Sequence, residues 1–490
     1  MTTKFEVYSN FTKVSGDVDE ETLDEATRFR KSGYQHSNAF KKRAWDGYTR
    51  LYMKKQRVFP TGLLDRIIRI YKKKHSDFEY EIDDRRKFKS KEPTVRASIL
   101  DGITLRRHQV IAANAMVRKR HGVLWAATNS GKTEISIATL KALDLPALFL
   151  VKGKDLLHQS YERFQKRLGA KDVGIVSSST WDVRKFTVAS ADTLSRRLVP
   201  KKNATDPKVL ERQQRVKDLL ESVQVVVIDE CHQAASTGLW NVVRVCTAPY
   251  RFGLSGTPFK RGDKQDLKLI ALTGEVIYKI SNKEMIEDGV SVPVDIKMIS
   301  IEHPKIAPYL DYNEVYTEGI EGNTFRNDII CKLTDSYYTE GKQVLILVKK
   351  INHGHILDEL LYTYKPDAFI PHQFIHGGTD IRVRQEALKD FKSGMIKVLI
   401  ASVILDVGVD IPNIDILILA GGGASEIRTL QRIGRGLRLN KGKDNLTVID
   451  FSDTGHRYLA QHSLSRLESY DSEDCFNISP IDGFYVSEFA

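Results

Sequence analysis

Two short stretches hold the residues best suited to chemistry. The first is Ala126-Ala127-Thr128-Asn129-Ser130-Gly131-Lys132-Thr133. It closes an apolar run (122–128) and opens a helical pattern (134–142). Backbone amides of a loop at a helix N-terminus cradle phosphate. A lysine there reaches the β- and γ-phosphates, and a following Ser or Thr hydroxyl holds Mg²⁺. Thr128 to Thr133 are therefore expected to bind nucleotide, with Lys132 catalytic and Thr133 a metal ligand. Ala126 stands where the general pattern has its first glycine. Asn129 stands where glycine is frequent, and Asn tolerates left-handed backbone. The second stretch is Asp229-Glu230-Cys231-His232, at the end of the apolar run 223–228. A carboxylate at such a strand tip holds Mg²⁺ in phosphoryl-transfer sites, and a second acid orients the attacking water. Asp229 and Glu230 take these roles here; the plainer alternative is an Asp capping the next helix.

These residues need strands that end at one edge. Short apolar runs separated by helix-length segments read as parallel strands in βα units. They occur at 122–128, 147–152, 186–190 and 223–230, and again at 343–349, 396–402, 414–420 and 446–451. The expected fold is α/β, with two tandem parallel-sheet domains covered by helices and a small basic N-terminal α+β domain; the family resemblance set out below implies that the two are RecA-like motor domains. The expected boundaries are 1–95, 96–290, 291–455 and a C-terminal tail at 456–490.

The 490 residues include 75 Lys+Arg and 63 Asp+Glu, a net charge of +12. Hydrophobic residues at 41% and charged residues at 28% exclude wholesale disorder. No run reaches the ~20 apolar residues of a membrane helix, and no secretory signal is expected. Four scattered cysteines without a CxxC pair argue against a zinc site or disulfide framework and fit a reducing compartment, the cytoplasm (that of a host cell if phage-encoded). The charge is uneven. Residues 28–91 carry +13, residues 196–217 carry +6 and residues 467–490 carry −6. Clustered Lys and Arg suit a polyanion, or a solvated surface.

With both stretches in place, the chain resembles superfamily 2 helicases. Leu105-Arg106-Arg107-His108-Gln109 is similar to the adenine-reading motif, which implies nucleotide contacts from Arg106 and Gln109. The segment 152–159 is similar to motif Ia, implying nucleic-acid contacts from Lys152 and Gln159. Ser255-Gly256-Thr257-Pro258 resembles motif III; with His232, Ser255 and Thr257 would couple nucleotide state to the nucleic-acid groove. Residues 344–349 resemble motif IV. Residues 401–410 resemble motif V, implying Ser402 on nucleic acid and Gly408 and Asp410 near the nucleotide. Gln431-Arg432-Ile433-Gly434-Arg435-Gly436-Leu437-Arg438 resembles motif VI, implying Arg435 and Arg438 as arginine fingers assisted by Gln431. Val407 and the Ser-Gly-Thr-Pro form of motif III depart from the DEAD-box RNA pattern and lean towards DNA-translocating branches.

The segments 40–52 and 59–64 resemble the N-terminal domain of phage UvsW-type helicases, which migrate branched DNA. Trp45-Asp46-Gly47 reads as a hairpin turn between 39–44 and 48–52. Such a hairpin could dock Lys41, Lys42, Arg43 and Arg50 on phosphates; Trp45, Tyr48 and Tyr52 fit either packed core or nucleic-acid contact. The 196–217 segment, with a helix at 208–220, offers Lys201, Lys202, Arg212 and Arg215. The resemblance implies an ATP- and Mg²⁺-dependent DNA helicase acting on branched or forked DNA, with a monomer as the working expectation. Alternatives are an RNA or RNA–DNA hybrid helicase, a restriction-type translocase subunit, or a nucleotide-gated clamp.

Overall fold

Val225–Ile228 and Val344–Val348 are apolar at every position and buried at every position. Strands of that kind belong inside parallel sheets covered on both faces, and each sits centrally in one of two sheets. The computed structural model describes residues 2–30, 33–199, 206–233, 236–259, 266–301, 306–364, 369–402, 414–423, 443–473 and 475–481. Lys201, Lys202, Gly408, Asp410, Gln431, Arg435 and Arg438 lie outside that set. The chain divides into two units, residues 1–280 and 281–490. Among the described residues no helix is long and apolar enough to cross a membrane.

The larger sheet of the first unit has eight strands. Their spatial order is Trp181–Asp182, Val173–Val176, Phe186–Ser190, Ala147–Val151, Val225–Ile228, Tyr250–Ser255, His121–Ala126 and Val276–Ile280. All neighbours are parallel except the Trp181–Asp182 edge. His121–Ala126 and the next strand in sequence, Ala147–Val151, are separated by two strands inserted later in the chain. Open α/β sheets bind ligands at the carboxyl ends of strands separated in this way. One face is sealed by Leu148, Leu150, Val226 and Ile228 against Leu194, Val216, Leu220 and Val242.

A four-stranded sheet precedes it, ordered Val58–Phe59, Thr12–Gly16, Thr3–Val7 and Tyr80–Asp84. Helices Glu20–Thr27 and Leu64–Lys74 pack with it, Asp19 capping the first by accepting from Glu21 N and Thr22 N. Its core of Phe5, Phe59, Leu63 and Ile67 runs on into Leu267, Ala271 and Trp240, which belong to helices flanking the larger sheet. Those helices, Thr237–Val243 and Asp266–Thr273, follow the Asp229-Glu230 and Ser255–Thr257 segments. Buried Arg251 ties their ends together, donating to the carbonyls of Val243 (2.7 Å), Cys246 (2.8 Å) and Leu272 (2.8 Å).

The hairpin expected between 39–44 and 48–52 does not form. Asn38–Lys41 is a helical turn capped by Ser37, and Tyr48–Arg50 pairs antiparallel with Arg28–Arg30. The reason is local. Ser37 accepts from Phe40 N and favours helix over strand. The Tyr48 ring lies under the guanidiniums of Arg28 (4.5 Å) and Arg30 (4.2 Å), which draws the distant strand to it.

The second unit holds a seven-stranded parallel sheet. Its order is His372–Ile375, Val398–Ser402, Val344–Val348, Ile416–Ile418, Leu446–Asp453, Val294–Ile301 and Phe476–Ile481. Residues expected to form a tail from 456 onward are instead built into this unit as far as Ile481. Helix Arg457–Asp471 buries Leu459 and Tyr470, and the last strand pairs with Val294–Ile301. Its anchor is a buried Asp450 carboxylate that accepts from Arg466 Nε (2.7 Å) and the Tyr470 hydroxyl (2.6 Å).

Candidate nucleotide site and nucleic-acid edge

The loop after His121–Ala126 turns sharply into helix Lys132–Leu143. Asn129 (φ 71°) and Gly131 (φ 79°) both adopt left-handed backbone, so Asn129 performs the conformational work of the missing glycine. The loop is tied to itself by the Ser130 hydroxyl on Ala127 O (2.7 Å) and by Lys132 Nζ on Ala126 O (3.3 Å). It is also tied to helix Arg107–Lys119. The Gln109 amide donates to Ser130 O (3.0 Å) while its oxygen accepts from Arg106 N (2.9 Å), and His108 Nε2 lies 3.1 Å from Ser130 O. A Cβ on Gly131 would strike the Gln109 amide. Gln109, expected to read adenine, is thus buried and braces the phosphate loop. This bracing was missed in the sequence, and the local signal for it was weak: a Gln at the third helical position forms a capping box.

Asp229 and Glu230 follow strand Val225–Ile228, two strands away from the loop. Glu230 is left-handed (φ 47°), a strained conformation for a non-glycine residue. Burial, followed by the Glu230 charge, pushes the Asp229 carboxyl up to about 6; Lys132 and His232 oppose that rise. The Lys132 ammonium is thus close enough to act on the acid pair. Beside Glu230 lies a polar cluster. Glu230 Oε2 is 3.2 Å from His232 Nδ1, which is 3.1 Å from Ser255 Oγ, and Ser255 Oγ accepts from Thr257 N (3.1 Å). Gly256 O accepts from Trp125 Nε1 (2.9 Å), joining this segment back to the strand before the phosphate loop. The Thr257 hydroxyl is buried without a hydrogen-bond partner among the described residues.

The residues named for nucleic acid are distributed more widely. Lys152 and Gln159 are exposed, just beyond the carboxyl end of Ala147–Val151 and on helix Lys154–Leu168. Ser402 is buried at the end of Val398–Ser402 in the second unit. Lys41, Lys42 and Arg43 are exposed, and make no ion pair among the described residues. Arg50 differs: its Nε donates to Asp24 (2.8 Å) and its other nitrogens grip Asp46. Arg28, Arg57 and Lys74 likewise pair with carboxylates of residues 19–25. The +13 of residues 28–91 is therefore partly neutralised by an acidic helix just outside that window. Trp45 is half-buried with its indole N–H on Tyr48 O (2.7 Å), Tyr48 lies under arginines, and Tyr52 is buried with its hydroxyl on Glu20. Arg212 and Arg215 are exposed on helix Pro207–Ser222.

Two protein families match this chain. Residues 102–260 match the family described as Type III restriction enzyme, res subunit, and residues 326–440 match the Helicase conserved C-terminal domain. Together the spans take in more than half of the sequence. The chain is 24% identical over 413 residues to the DNA 3'-5' translocase XPB2 of Sulfurisphaera tokodaii, covering 76% of this chain and 88% of that one. It is 23% identical over 508 residues to the ATP-dependent DNA helicase uvsW of Enterobacteria phage T4, covering 95% and 97%. In fold it is similar to the fragment structure of a candidate HsdR subunit of a type I restriction enzyme from Vibrio vulnificus. There the TM-score is 0.56, with 18% identity and coverage of 77% and 68%.

Proposed function

Because this chain belongs to the superfamily 2 helicases and is related to UvsW, we propose that it is an ATP-dependent DNA translocase that remodels branched or forked DNA. The observation that carries the proposal is the convergence at one sheet edge of the phosphate loop, the Asp229–Glu230 pair and the polar cluster of His232, Ser255 and Thr257.

In this reading the loop amides of Thr128 to Thr133 and the Lys132 ammonium bind the ATP phosphates. Thr133 and Asp229 fit Mg²⁺, which favours one or two hard oxygen ligands plus substrate phosphates. The carboxyl of Asp229, desolvated and pushed towards its neutral form, is a group that a cation would stabilise as the anion. When bound, the ion would offset charge on the phosphates. Glu230 orients the attacking water and accepts its proton. His232, 3.2 Å from this acid and 3.1 Å from Ser255 Oγ through the same Nδ1, places a charge-sensitive group between Glu230 and the end of strand Tyr250–Ser255. The family resemblance assigns Gln431, Arg435 and Arg438, which lie outside the described residues, to ATP hydrolysis. Lys152 and Gln159, at the same carboxyl edge, meet the DNA backbone. The arrangement of the departures in motifs III and V and the likeness to uvsW support DNA over RNA.

ATP hydrolysis measured with duplex, forked and four-way DNA and with matched RNA tests this. Stimulation greatest with forked or four-way DNA is expected. Lys132→Ala and Glu230→Gln should each lower turnover by about 10²-fold or more without lowering the melting temperature. Equal stimulation by RNA, or turnover indifferent to these substitutions, would overturn the reading.

A further inference from the structure

The outer edge of the larger sheet carries arginines that the nucleotide site does not use. Strand Trp181–Asp182 closes the sheet, and the Trp181 indole is half-buried against the core. Two guanidiniums address it, Arg197 at 5.1 Å and Arg215 at 5.8 Å from the ring centroid. Arg197 is also held by backbone, donating to the carbonyls of Ser177 (3.3 Å) and Ser178 (3.1 Å). Gln213 donates to Leu198 O (2.9 Å), locking helix Pro207–Ser222 to the end of helix Ala191–Leu198.

Arg196, Arg197, Arg212 and Arg215 make no ion pair among the described residues. They crowd one another: burial and then Arg212, Arg215 and Arg196 lower the Arg197 pKa. Neighbouring Arg184, by contrast, is paired with Asp182 (3.0 Å). Like charges held together without a carboxylate are relieved by an anion. The donors are spread over two helices, Ala191–Leu198 and Pro207–Ser222, which suits an extended polyanion. Ser177 and Ser178 follow the carboxyl end of Val173–Val176, a strand parallel to Ala147–Val151. The cluster therefore lies on the same sheet edge as Lys152.

We infer that Trp181, Arg197, Arg212 and Arg215 form a backbone-phosphate clamp for a nucleic-acid strand, continuing the edge marked by Lys152 outward. Arg197 is the preorganised donor, Trp181 the residue that positions it, and Arg212 and Arg215 the exposed partners. This rests on the translocase reading above and adds a contact site to it.

Binding of fluorescein-labelled forked DNA to the full chain, followed by anisotropy across a salt series, tests the clamp. Arg197→Ala should weaken binding about tenfold at low salt and flatten the log–log salt slope by about 1. Arg212→Ala/Arg215→Ala, on an exposed helix face, should flatten it by about 2 and decides the matter if Arg197→Ala does not fold. Trp181→Leu should weaken binding, and Trp181→Phe, which keeps a ring against the core, should restore most of it. Arg184→Ala removes the same charge from a paired arginine and should stay within about twofold of the parent. Parent-like slopes in both the Arg197→Ala and the double variant, or an equal loss in Arg184→Ala, would overturn the clamp. Failure of any nucleic acid to stimulate ATP hydrolysis by the unaltered protein would instead overturn the translocase reading.

Discussion

A Cβ placed on Gly62 would overlap the carbonyl oxygen of Ile270. Gly62 lies in the turn Thr61–Leu63 of the N-terminal part, and Ile270 on the helix that follows Ser255–Thr257. Backbone meets backbone there, so neither side can move away as a flexible side chain would. Gly62→Val should destabilise the first unit by about 1–3 kcal/mol, the range for overpacking. Thermal melting together with limited proteolysis of the N-terminal part measures this; a variant as stable and as resistant as the parent would show that the contact yields.

Asp229 is predicted to be a stability cost. Its carboxyl is raised to about 6 against an ordinary value of 3.8. A raised acid favours the folded state while protonated, so that contribution is present below about pH 4 and is lost as pH rises to about 6. Asp229→Asn should therefore raise the melting temperature at pH 7, by about 1–3 kcal/mol in stability, while abolishing turnover. A lower melting temperature at pH 7 would count against the burial argument.

His353 makes the second unit acid-sensitive. It is fully buried beside Asn327 Oδ1 (2.9 Å), and burial lowers its pKa to about 3 from 6.5. Its neutral form stabilises the fold above pH 6.5, and that stability is lost as pH falls towards 3, about 2 kcal/mol of it by pH 5. Melting between pH 7 and 4.5 should show the decline, and His353→Gln should flatten it. An equally steep decline in the variant would assign the effect elsewhere.

The N-terminal cations should separate into two classes. Replacing Lys41, Lys42 and Arg43 by Ala should weaken DNA binding and lower the salt slope by about 2–3. Arg50→Ala should leave the slope alone and cost at most about 1 kcal/mol of stability, because Asp24 and Asp46 already hold that guanidinium. Equal slope changes in the two would show that the pairing opens on binding.

Much of the local geometry of the candidate nucleotide site is legible in the sequence because its determinants are local. An apolar strand, a turn with Asn129 and Gly131, and a helix opening at Lys132 lie within about twenty residues, and periodicity marks each. Asp229 and Glu230 at a strand tip were legible for the same reason. The partner of Tyr48–Arg50 was not, since Arg28–Arg30 is short and charged and its pairing depends on arginines stacking on a ring about twenty residues away. Charge counted by segment misled in the same way. The acids of residues 19–25 lie just outside the basic window in sequence but against it in space. Residues 456–490 read as a tail, acidic from 467 onward, yet Arg466 and Tyr470 are bound to Asp450, a link invisible to local pattern.

The apolar seam under the N-terminal sheet sets how this chain can be divided. Leu267, Ala271 and Trp240 belong by sequence to the motor, yet they complete the core built by Phe59, Leu63 and Ile67. A chain started at residue 96 would present those side chains to water and should self-associate in a concentration-dependent way. The N-terminal part supplies most of that core itself and would lack only the wall that Leu267, Ala271 and Trp240 provide. The N-terminal sheet and these two helices thus share one apolar core, and exchanging that sheet between relatives would require carrying both helices along with it.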